Sequence, residues 1–382
     1  MNILFVCDVL GEENNGTTIA ALNIIRYLKS KGHTVKVLCC DQDKKGVEGY
    51  YVLPKLNAGP FNGYVAKNGI SLAWNDKKVI EEAFKDIDIC HIMMPLFLGK
   101  ACAKYAHKHG VTLTAGFHTQ AENVSNHFFL MDAKKANLFL YKNFYKKVYR
   151  YCAGIHYPTQ FIEDTFEKIV GKTPGYVISN GVKGNFVHIE NVPRPDSIKD
   201  KFIVLSTGRL SKEKAQSILL EAVKLSKYKD NIQVILAGDG PLKEKLKEIG
   251  DTLPNKPVIQ FFSHDEIVKI INIADLYVHP AEVEIESISC LEAITCGVVP
   301  VIANSDRSAT KYFALDEKNL FINKDCLDLA HKIDFWIENP KLKEEYSKRY
   351  MGFTKQFNFD ECMEKMENMF LEVISKKKVL KR

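Results

Sequence analysis

This chain of 382 residues lacks the patterns that mark secreted, membrane-spanning and metal-binding proteins. Its ten cysteines lie mostly inside apolar segments and form no C-x-x-C pair, which favours reduced, buried thiols over disulfides or zinc ligands. No apolar run approaches the ~20 residues that span a bilayer. The first residues, MNILFVCDVL, follow no basic stretch and precede no small-residue cleavage site, so they predict a β-strand rather than a signal peptide. We therefore expect a cytoplasmic protein.

Positive and negative charges nearly balance over the whole chain, but basic residues are concentrated locally. The net charge of +6 is too small to imply a nucleic-acid partner. The stretch 128–152, FFLMDAKKANLFLYKNFYKKVYRYC, has one acid, Asp132, and these basic residues: Lys134, Lys135, Lys142, Lys146, Lys147 and Arg150. KKKVLKR at the end of the chain is a second basic cluster. The hydrophobic content of 46% is typical of a soluble globular protein, and the length suffices for two domains.

Apolar runs of strand length alternate with helical stretches along the whole chain. This order favours parallel sheets, because a parallel return requires a crossover. In the first half the predicted strands are NILFVCDVL, TVKVLCC, IDICHIMMP, VTLTAGFH, AGIHYP and GYVISNGV. A polar segment with prolines, HIENVPRPDSIKD, then predicts an interdomain linker. The pattern restarts with FIVLSTGRL, NIQVILAGDG, VIQFF, DLYVHP and VVPVIAN.

The predicted fold class is α/β, with two Rossmann-like doubly wound domains facing across a cleft. We place the first domain at residues 1–190 and the second at residues 191–358. The last amphipathic segment, 359–382, can pack back on the first domain or on the second. Ligands of such folds bind at the carboxyl ends of the strands, so functional residues are expected directly after strands.

The turn after the first strand carries Gly16 and Thr17, where a helix must begin. Free backbone N–H groups and the helix dipole can hold an anion at such a place. The turn is not G-x-G-x-x-G and has no P-loop lysine, which disfavours a nicotinamide dehydrogenase. A plain loop with threonine as the helix cap is the alternative.

Three further strand ends carry candidate residues. His118 ends an apolar strand, so it is either a cleft side chain or a buried histidine bonded to a carbonyl. Arg209 and Lys214 flank a strand-to-helix turn, where a guanidinium fork and an ammonium charge can hold a diphosphate; solvated surface cations are the alternative. Gly238, in GDGP, closes the next strand and allows a close backbone approach or a turn.

A cluster of carboxylates in HPAEVEIESISCLEA (279–293) is unusual, because like charges so close together repel. Its members are Glu282, Glu284, Glu286 and Glu292. Ser287 or Ser289 can cap the following helix, and Ser289 with Glu292 matches a capping box, which would explain Glu292 structurally. Glu284 precedes the helix and has no such explanation. A carboxylate there can accept hydrogen bonds from hydroxyl groups.

Four motifs in chain order resemble those of the retaining glycosyltransferases of family 4, which have the GT-B fold. Glu284 and Glu292, running into LEAITCGVVPVIA, are similar to the E-x7-E signature of that family. STGRLSKEK resembles its G-R-L-x-x-x-K element, ISNGV (178–182) its N-G-V/I element, and GDGP its A-G-x-G-P turn. The resemblance covers almost the whole chain.

The resemblance implies roles for individual residues in binding a nucleotide-sugar donor. Arg209 and Lys214 would hold the donor diphosphate and offset the leaving-group charge, with help from backbone amides near Gly16 and Thr17. Glu292 would bind the donor ribose. With this resemblance, the expected donor is a UDP-sugar.

Further roles concern the transferred sugar. Glu284 would contact its hydroxyl groups, and His118 matches the cleft histidine that lies against it. Gly238 and Ser287 lie in the same motifs and complete the donor-binding set. The catalytic candidates are therefore His118, Glu284, Arg209 and Lys214. Whether one of the two remaining glutamates of the cluster also faces the donor is left open.

The resemblance implies no metal and no required cofactor, because cations of the protein can stabilise the diphosphate, although Mg²⁺ could stimulate turnover. The chain has two D-x-D spellings, Asp41–Asp43 and Asp86–Asp88, which match the metal motif of another transferase fold. The first sits in a polar loop and the second leads into a strand. Neither is favoured as a metal site.

The runs EIESISCLEA and HTQAEN (118–123) resemble a bacterial subgroup that glycosylates diacylglycerol. This favours transfer of glucose from UDP-glucose to a membrane lipid, such as 1,2-diacylglycerol or a monoglycosyl diacylglycerol. Phe139, Tyr145 and Tyr149, interleaved with basic residues in 128–152, predict an interfacial helix on an anionic membrane surface. The protein would then be peripheral on the inner face of the cell membrane.

Several alternatives stay open at this point. The stretch 128–152 is equally compatible with an ordinary amphipathic helix, and the acceptor with a soluble or cell-wall polysaccharide precursor. A non-hydrolysing UDP-sugar epimerase shares the two-domain fold and needs no acceptor. A nucleic-acid partner is not expected, because it would leave the strand-end motifs unexplained. The family often has Gly-Phe-Gly-type residues where this chain has Ile285–Ser289, so the donor sugar is undecided.

Overall fold

The computed structural model describes residues 1–8, 10, 16–57, 59 and 72–380, with side chains to residue 377. The chain forms two compact units. The first comprises Met1–Asn180 together with Glu361–Arg382, and the second comprises Gly181–Asp360. Part of the basic cluster at the end of the chain, 378–382, lies outside the described side chains.

The first unit is built on a parallel sheet. Its strands are β1 (Asn2–Val6), β2 (Thr34–Cys39), β3 (Tyr50–Val52), β4 (Ile89–Ile92), β5 (Thr112–Gly116), β6 (Gly154–Tyr157) and β7 (Gly175–Val177). Their order in the sheet is β3-β2-β1-β4-β5-β6-β7. Central strands such as β4 and β5 are buried along their whole length, as expected where helices cover both faces of a parallel sheet.

The helices of the first unit alternate with these strands. They are α1 (Gly16–Ser30), α2 (Lys77–Ala83), α3 (Phe97–His109), α4 (Ala121–Asn126), α5 (Lys134–Lys147), α6 (Gln160–Val170) and, from the end of the chain, most of α13 (Phe359–Leu380). The C-terminal helix α13 packs on this unit, because Phe370 lies against Phe5 with ring centroids 6.3 Å apart. The imidazole Nε2 of His33 is also 2.7 Å from Glu367 Oε1.

The second unit repeats the scheme with a smaller sheet. Its strands are β8 (Phe202–Thr207), β9 (Ile232–Ala237), β10 (Val258–Gln260), β11 (Leu276–His279), β12 (Pro300–Asn304) and β13 (Leu320–Ile322), in the order β10-β9-β8-β11-β12-β13. Its helices are α7 (Gln216–Leu225), α8 (Lys243–Gly250), α9 (His264–Ile273), α10 (Ile288–Thr295), α11 (Cys326–Glu338) and α12 (Pro340–Phe353). All its strand pairs are parallel.

The predicted α/β class with two Rossmann-like units is confirmed. Two strands were not predicted, β3 and β13, which have three residues each and lie at sheet edges, where the apolar signal is too short to separate from a loop. The predicted linker HIENVPRPDSIKD is wrong as a spacer between domains. It packs inside the second unit, where Arg194 Nη2 donates to Asp275 at 2.9 Å and Ile189 N donates to Asn272 at 2.7 Å.

The ten cysteines are all free, and all except Cys326 are buried. None of the described helices is both long enough and apolar enough to cross a bilayer.

Candidate functional site

In the second unit, the ends of β8 and β9 approach each other so closely that glycine is required. A Cβ added to Gly238 would lie 2.0 Å from the carbonyl oxygen of Gly208. The N–H of Gly208 donates to the carbonyl of Ala237 at 3.0 Å, which continues the pairing past the strands. This contact fixes the backbone of Arg209 at the carboxyl edge of the sheet. Gly238 therefore holds backbone segments together, in agreement with one of its two predicted explanations.

Lys214 follows Arg209 on a short 3₁₀ turn, Lys212–Lys214. The turn ends at Ala215, whose φ of 52° is in the left-handed region that alanine rarely adopts. Beyond this residue α7 begins at once, so the turn directs Lys214 back across the strand ends. There the Lys214 ammonium group donates a hydrogen bond to Glu284 Oε1.

Glu284 is a buried, ionised carboxylate. It is 9% exposed at its side chain, and His279 Nε2 lies 3.1 Å from the same Oε1 atom. Burial opposes ionisation, but the charge of Lys214 and the hydrogen bond from His279 outweigh it, so the pKa of Glu284 is lowered to about 2. Burial lowers the pKa of His279, although Glu284 acts in the opposite direction. The arrangement places a fixed negative charge beside a fixed positive charge at the strand ends.

The backbone around Glu284 is held from two sides. Its N–H donates to the carbonyl of Arg307 at 3.3 Å, and its own carbonyl accepts from Ala309 N at 2.9 Å. On the other side, Glu282 N donates to the carbonyl of Glu213 at 2.8 Å, which ties this segment to the turn that carries Lys214. Glu284 is therefore positioned by backbone contacts as well as by its ion pair.

Glu282 has a structural role that the sequence left open. Its carboxylate contacts two cations, Arg307 Nη2 and Lys324 Nζ, each at 2.8 Å from Oε2. These ion pairs join the acidic segment to the loop after β12 and to the turn after β13. Glu286 is also buried. The unusual density of carboxylates is thus partly explained by partner cations far away in the sequence.

The helix after the acidic segment begins two residues earlier than the capping box predicts. Ser287 is the N-cap of α10 and accepts from Cys290 N at 3.3 Å, so Ser289 with Glu292 does not form the predicted capping box. Glu292 lies within the helix and is partly exposed, yet desolvation of its carboxyl group raises its pKa to about 8, a shift that Lys183 opposes. The structural explanation for Glu292 therefore fails, and Ser287 acts as a cap.

Two residues that support Glu284 were missed by the sequence analysis. Tyr277 OH lies 2.8 Å from Thr207 Oγ1 and 3.4 Å from His279 Nδ1, which links the ends of β8 and β11 to the Glu284 pair. His279 stands at the end of a predicted strand, directly before the acidic run. Functional residues are expected directly after strands, the rule that selected His118, and the same rule would have selected His279.

In the first unit the predicted anion-binding turn is described from Gly16 onward, and residues 11–15 lie outside the described residues. Gly16 is the first residue of α1, and a Cβ there would meet nothing within 4 Å. Thr17 Oγ1 donates to the carbonyl of His118 at 3.3 Å, which joins the start of α1 to the end of β5. The structure therefore brings Thr17 and His118 together.

The alternative prediction for His118, a buried histidine bonded to a carbonyl, is not supported among the described residues. Its Nε2 is buried and has no hydrogen-bond partner among the described residues. The neighbouring His156 is the histidine that bonds to a carbonyl, that of Ile178, at 2.6 Å from its Nε2. Burial, and then the nearby His156 and His91, hold the pKa of His118 well below its ordinary value.

The basic stretch of the first unit carries a cluster of exposed apolar side chains, which we call the aromatic tip. It consists of Phe128, Phe129, Leu130, Leu138 and Phe139. Phe128 and Phe129 are 70% and 83% exposed, on the turn between α4 and α5. The six basic residues of the stretch are all exposed as well. Aromatic and cationic side chains thus share one surface segment.

Of the three aromatic residues predicted to face a membrane, one is buried and another is half-buried. Tyr149 is fully buried, with its hydroxyl 3.3 Å from the carbonyl of Gly116, and Tyr145 packs against Phe166 with ring centroids 6.3 Å apart. Phe139 is exposed as predicted. Because α5 ends at Lys147, Tyr149 falls outside the helix whose period was used to place it.

Three of the four carboxylates of the D-x-D spellings have other contacts. Asp41 accepts from Leu10 N at 2.6 Å, Asp43 pairs with Lys44 at 2.7 Å, and Asp88 accepts from Asn2 N at 2.8 Å. Within the described part of the chain, no group of three histidine, cysteine, aspartate or glutamate side chains is arranged to hold a metal ion.

Comparisons with known proteins agree with this architecture. Residues 14–184 match the family model Glycosyltransferase Family 4, and residues 188–350 match Glycosyl transferases group 1. The chain is 22% identical over 322 residues to alpha-monoglucosyldiacylglycerol synthase of Streptococcus pneumoniae, covering 80% of this chain and 71% of that protein.

Two solved structures are also similar. HepE of Anabaena in complex with UDP and glucose superposes with a TM-score of 0.75 at 18% identity, covering 97% of this chain and 100% of the other. The catalytic domain of cholesterol-alpha-glucosyltransferase from Helicobacter pylori is 46% identical, covering 40% of this chain and 96% of that one, with a TM-score of 0.39. The second score is too low to show a shared fold.

The class of protein is therefore an enzyme, a glycosyltransferase with the GT-B fold. Within that class the chain belongs to glycosyltransferase family 4, because the model of that family and the model of Glycosyl transferases group 1 together match most of its length. Family membership therefore favours a glycosyltransferase over the two alternative enzymes, a nicotinamide dehydrogenase and a UDP-sugar epimerase.

Proposed function

We propose that this protein is a retaining hexosyltransferase that moves glucose from UDP-glucose to a membrane lipid, such as 1,2-diacylglycerol or a monoglucosyl diacylglycerol. Family membership gives the transfer of a glycosyl group. The donor, the acceptor and the retention of configuration are the proposed part.

The donor is supported by the cations at the strand ends of the second unit and by HepE, a protein of the same fold that was solved with UDP and glucose. Transfer leaves a nucleoside diphosphate, so stabilising its charge is the main catalytic requirement. An ammonium group has three donors. Lys214 gives one of them to Glu284 and keeps others for diphosphate oxygens, while Arg209 offers a bidentate fork.

Glu284 is suited to hold sugar hydroxyl groups. Both side-chain partners that it has among the described residues contact Oε1, which leaves Oε2 to accept from a substrate hydroxyl. Because its pKa is about 2, Glu284 stays an acceptor at every working pH. Its fixed position lets binding energy orient the sugar relative to the diphosphate.

Glu292 is suited to a different task. With a pKa raised to about 8 by desolvation, its carboxyl group is largely protonated near pH 7. A protonated carboxyl both donates and accepts hydrogen bonds, which matches the paired hydroxyl groups of a ribose. The two glutamates of the E-x7-E pattern thus differ in protonation state: Glu284 is ionised for the transferred sugar, and Glu292 is largely protonated for the ribose.

The observation that carries the lipid acceptor is the aromatic tip beside exposed cations. Isolated apolar side chains are normal on a protein surface, but two adjacent phenylalanines at this exposure are unusual in a soluble setting. Basic residues near an anionic bilayer contribute about 1 kcal/mol each, and aromatic rings insert at the headgroup level. The named activity of the S. pneumoniae relative, synthesis of a glucosyl diacylglycerol, is consistent with this acceptor.

The acceptor is tested with vesicles and a matched pair of variants. The double variant Phe128→Ser/Phe129→Ser should lose co-sedimentation with vesicles that contain anionic lipid and diacylglycerol, and should lose glucolipid formation with it. Phe261→Ser removes a phenylalanine that is 58% exposed on the second unit and should behave as wild type. Equal binding by all three proteins would contradict the claim that the aromatic tip binds a membrane. A soluble glycan would then be the favoured acceptor.

Two further readouts complete the test. The anomeric configuration of the product, read by NMR, decides between retention and inversion. The proposal assigns charge neutralisation to protein cations, so turnover should persist in EDTA; its loss would mean that a metal ion is required.

A further inference from the structure

Three histidines of the first unit lie together on one face of its sheet. His91 on β4 is in register with Thr114 on β5, and Gly116 on β5 is in register with His156 on β6. Residues two apart on a strand point to the same face, so Thr114 and Gly116 share the face of both histidines. His118 follows Gly116 by two residues. We call His91, Gly116, His118 and His156 the histidine cluster.

Gly116 makes room for the ring of His118 inside this cluster. A Cβ added to Gly116 would lie 2.4 Å from both Cδ2 and Nε2 of His118, and 3.4 Å from Nε2 of His91. The first two distances are impossible for a real side chain, so any residue other than glycine forces the His118 ring away. The absence of a side chain at residue 116 is thus what allows the ring to fold back over the strand.

The other two histidines are fixed by hydrogen bonds and packing. His91 Nδ1 is 3.0 Å from Thr114 Oγ1, and its ring packs against Phe370 with centroids 5.2 Å apart. His156 Nε2 is bonded to the carbonyl of Ile178, which fixes its proton on that nitrogen, and its ring meets the ring of His118 at 5.3 Å. The walls around His118 are therefore rigid.

The cluster keeps His118 neutral. Among the described residues, the titratable groups that act on it are the imidazoles of His156 and His91, both fully buried. Burial, and for His91 also the neighbouring His156, lower the pKa of His91 to about 3 and that of His156 to about 4. A proton on His118 would thus be placed in a desolvated site, and no carboxylate of the described residues acts on it to compensate.

From this geometry we propose that Gly116, His91 and His156 are positioning residues that hold the His118 ring, neutral and in one orientation, for its contact with the transferred sugar. The proposal rests on the proposed function for that contact. It adds three residues that need not touch the substrate. The bond from Thr17 to the His118 carbonyl fixes the backbone of the same residue.

The first test is a histidine titration by NMR on the full chain, with the His118 signal assigned from His118→Ala. In the wild type this signal should not shift between pH 8 and pH 5. In Gly116→Ala the displaced ring should titrate near the ordinary histidine value of about 6.5. A His118 signal that stays unshifted in Gly116→Ala would overturn the proposal, whatever the enzyme does.

The second test is a double-mutant cycle on turnover. Gly116→Ala and His118→Ala should each lower kcat by about 10²-fold, the usual cost of a misplaced contact. The affinity for UDP should change little, because its proposed side-chain ligands lie in the second unit. In the His118→Ala background, Gly116→Ala should add nothing. Additive effects would contradict positioning. A normal kcat in His118→Ala would refute the contact of His118 with the sugar. The NMR titration would still test whether the histidine cluster positions the ring.

Controls separate positioning from folding. Gly154→Ala makes a milder clash with side chains on β6, at 2.9 Å from Val373 and 3.2 Å from Tyr176, and should leave the His118 titration and kcat near wild type. If Gly116→Ala does not fold, His156→Gln keeps a donor for the Ile178 carbonyl and removes the ring against His118. The His118 signal should then begin to titrate; an unshifted signal would overturn the role of His156.

Discussion

The carboxyl ends of the two sheets carry opposite kinds of polar chemistry. In the second unit, charges are set in pairs: Lys214 with Glu284, and Arg307 with Glu282. In the first unit, the corresponding strand ends carry neutral imidazoles around Gly116. In the proposed function this difference would be a division of tasks, in which the second unit handles the charge of a diphosphate and the first offers uncharged contacts to a sugar.

A second contrast lies within the second unit. Glu284 and Glu292 belong to one sequence pattern, yet the pKa of Glu284 is lowered to about 2 and that of Glu292 is raised to about 8. Both carboxyl groups are desolvated. Glu284 has a cation in direct contact, whereas Lys183 acts on Glu292 too weakly to offset burial. The partner, rather than burial, decides the protonation state.

The largest expected effect comes from removing the cation of the Glu284 pair. Lys214→Ala should lower kcat by about 10²–10³-fold, since it removes a charge that stabilises the leaving diphosphate. Lys212→Ala, an exposed lysine on the same turn, should keep turnover near wild type. Steady-state kinetics of both variants decide the matter, and equal rates for the two would refute the diphosphate role of Lys214.

A smaller effect is expected on stability. Glu284→Gln should lower the free energy of unfolding by about 1.5–3 kcal/mol at pH 7, because it replaces a charged acceptor in a buried pair. A depressed pKa adds stability above the unfolded value of about 4.3, and that stability is lost as the pH falls toward 2. Denaturant unfolding of wild type and variant should therefore differ most at neutral pH and converge in acid. A constant difference would contradict the assigned ionisation.

The smallest effect has the opposite dependence on pH. A carboxyl group whose folded pKa is raised loses stability as the pH rises from about 4.3 toward 8. Glu292→Gln, which mimics the protonated form, should therefore raise Tm relative to wild type more at pH 8 than at pH 5. Thermal unfolding at the two pH values measures this. A larger gain at pH 5 would show that Glu292 is ionised in the folded protein.

Much of the fold was predictable from sequence because the strands are buried on both faces and appear as continuous apolar runs. Because the strands were recognised as apolar runs, Arg209, Lys214 and Glu284 could be placed directly after strands. The structure brings Lys214 and Glu284 into contact. The failures have physical reasons. Tyr149 was assigned to a helix that ends before it, and of the two predicted caps Ser287 is the one used, so the capping box of Ser289 with Glu292 does not form.

Other features depended on partners that are distant in the sequence. Glu282 is paired with Arg307 and Lys324, and no local pattern indicates which cations will reach it. The role of Gly116 depends on rings from two neighbouring strands, so it becomes visible only once the register of the sheet is known. Local sequence gives the position of a residue in an element; the sheet register gives its partners.

The most direct test of the central claim is UDP release from a panel of UDP-sugars, measured with and without diacylglycerol in anionic vesicles. The account predicts release from UDP-glucose that depends on the lipid and yields a glucosyl diacylglycerol. Release that is slow and indifferent to the lipid would contradict the lipid acceptor, and release from another sugar alone would contradict the proposed donor.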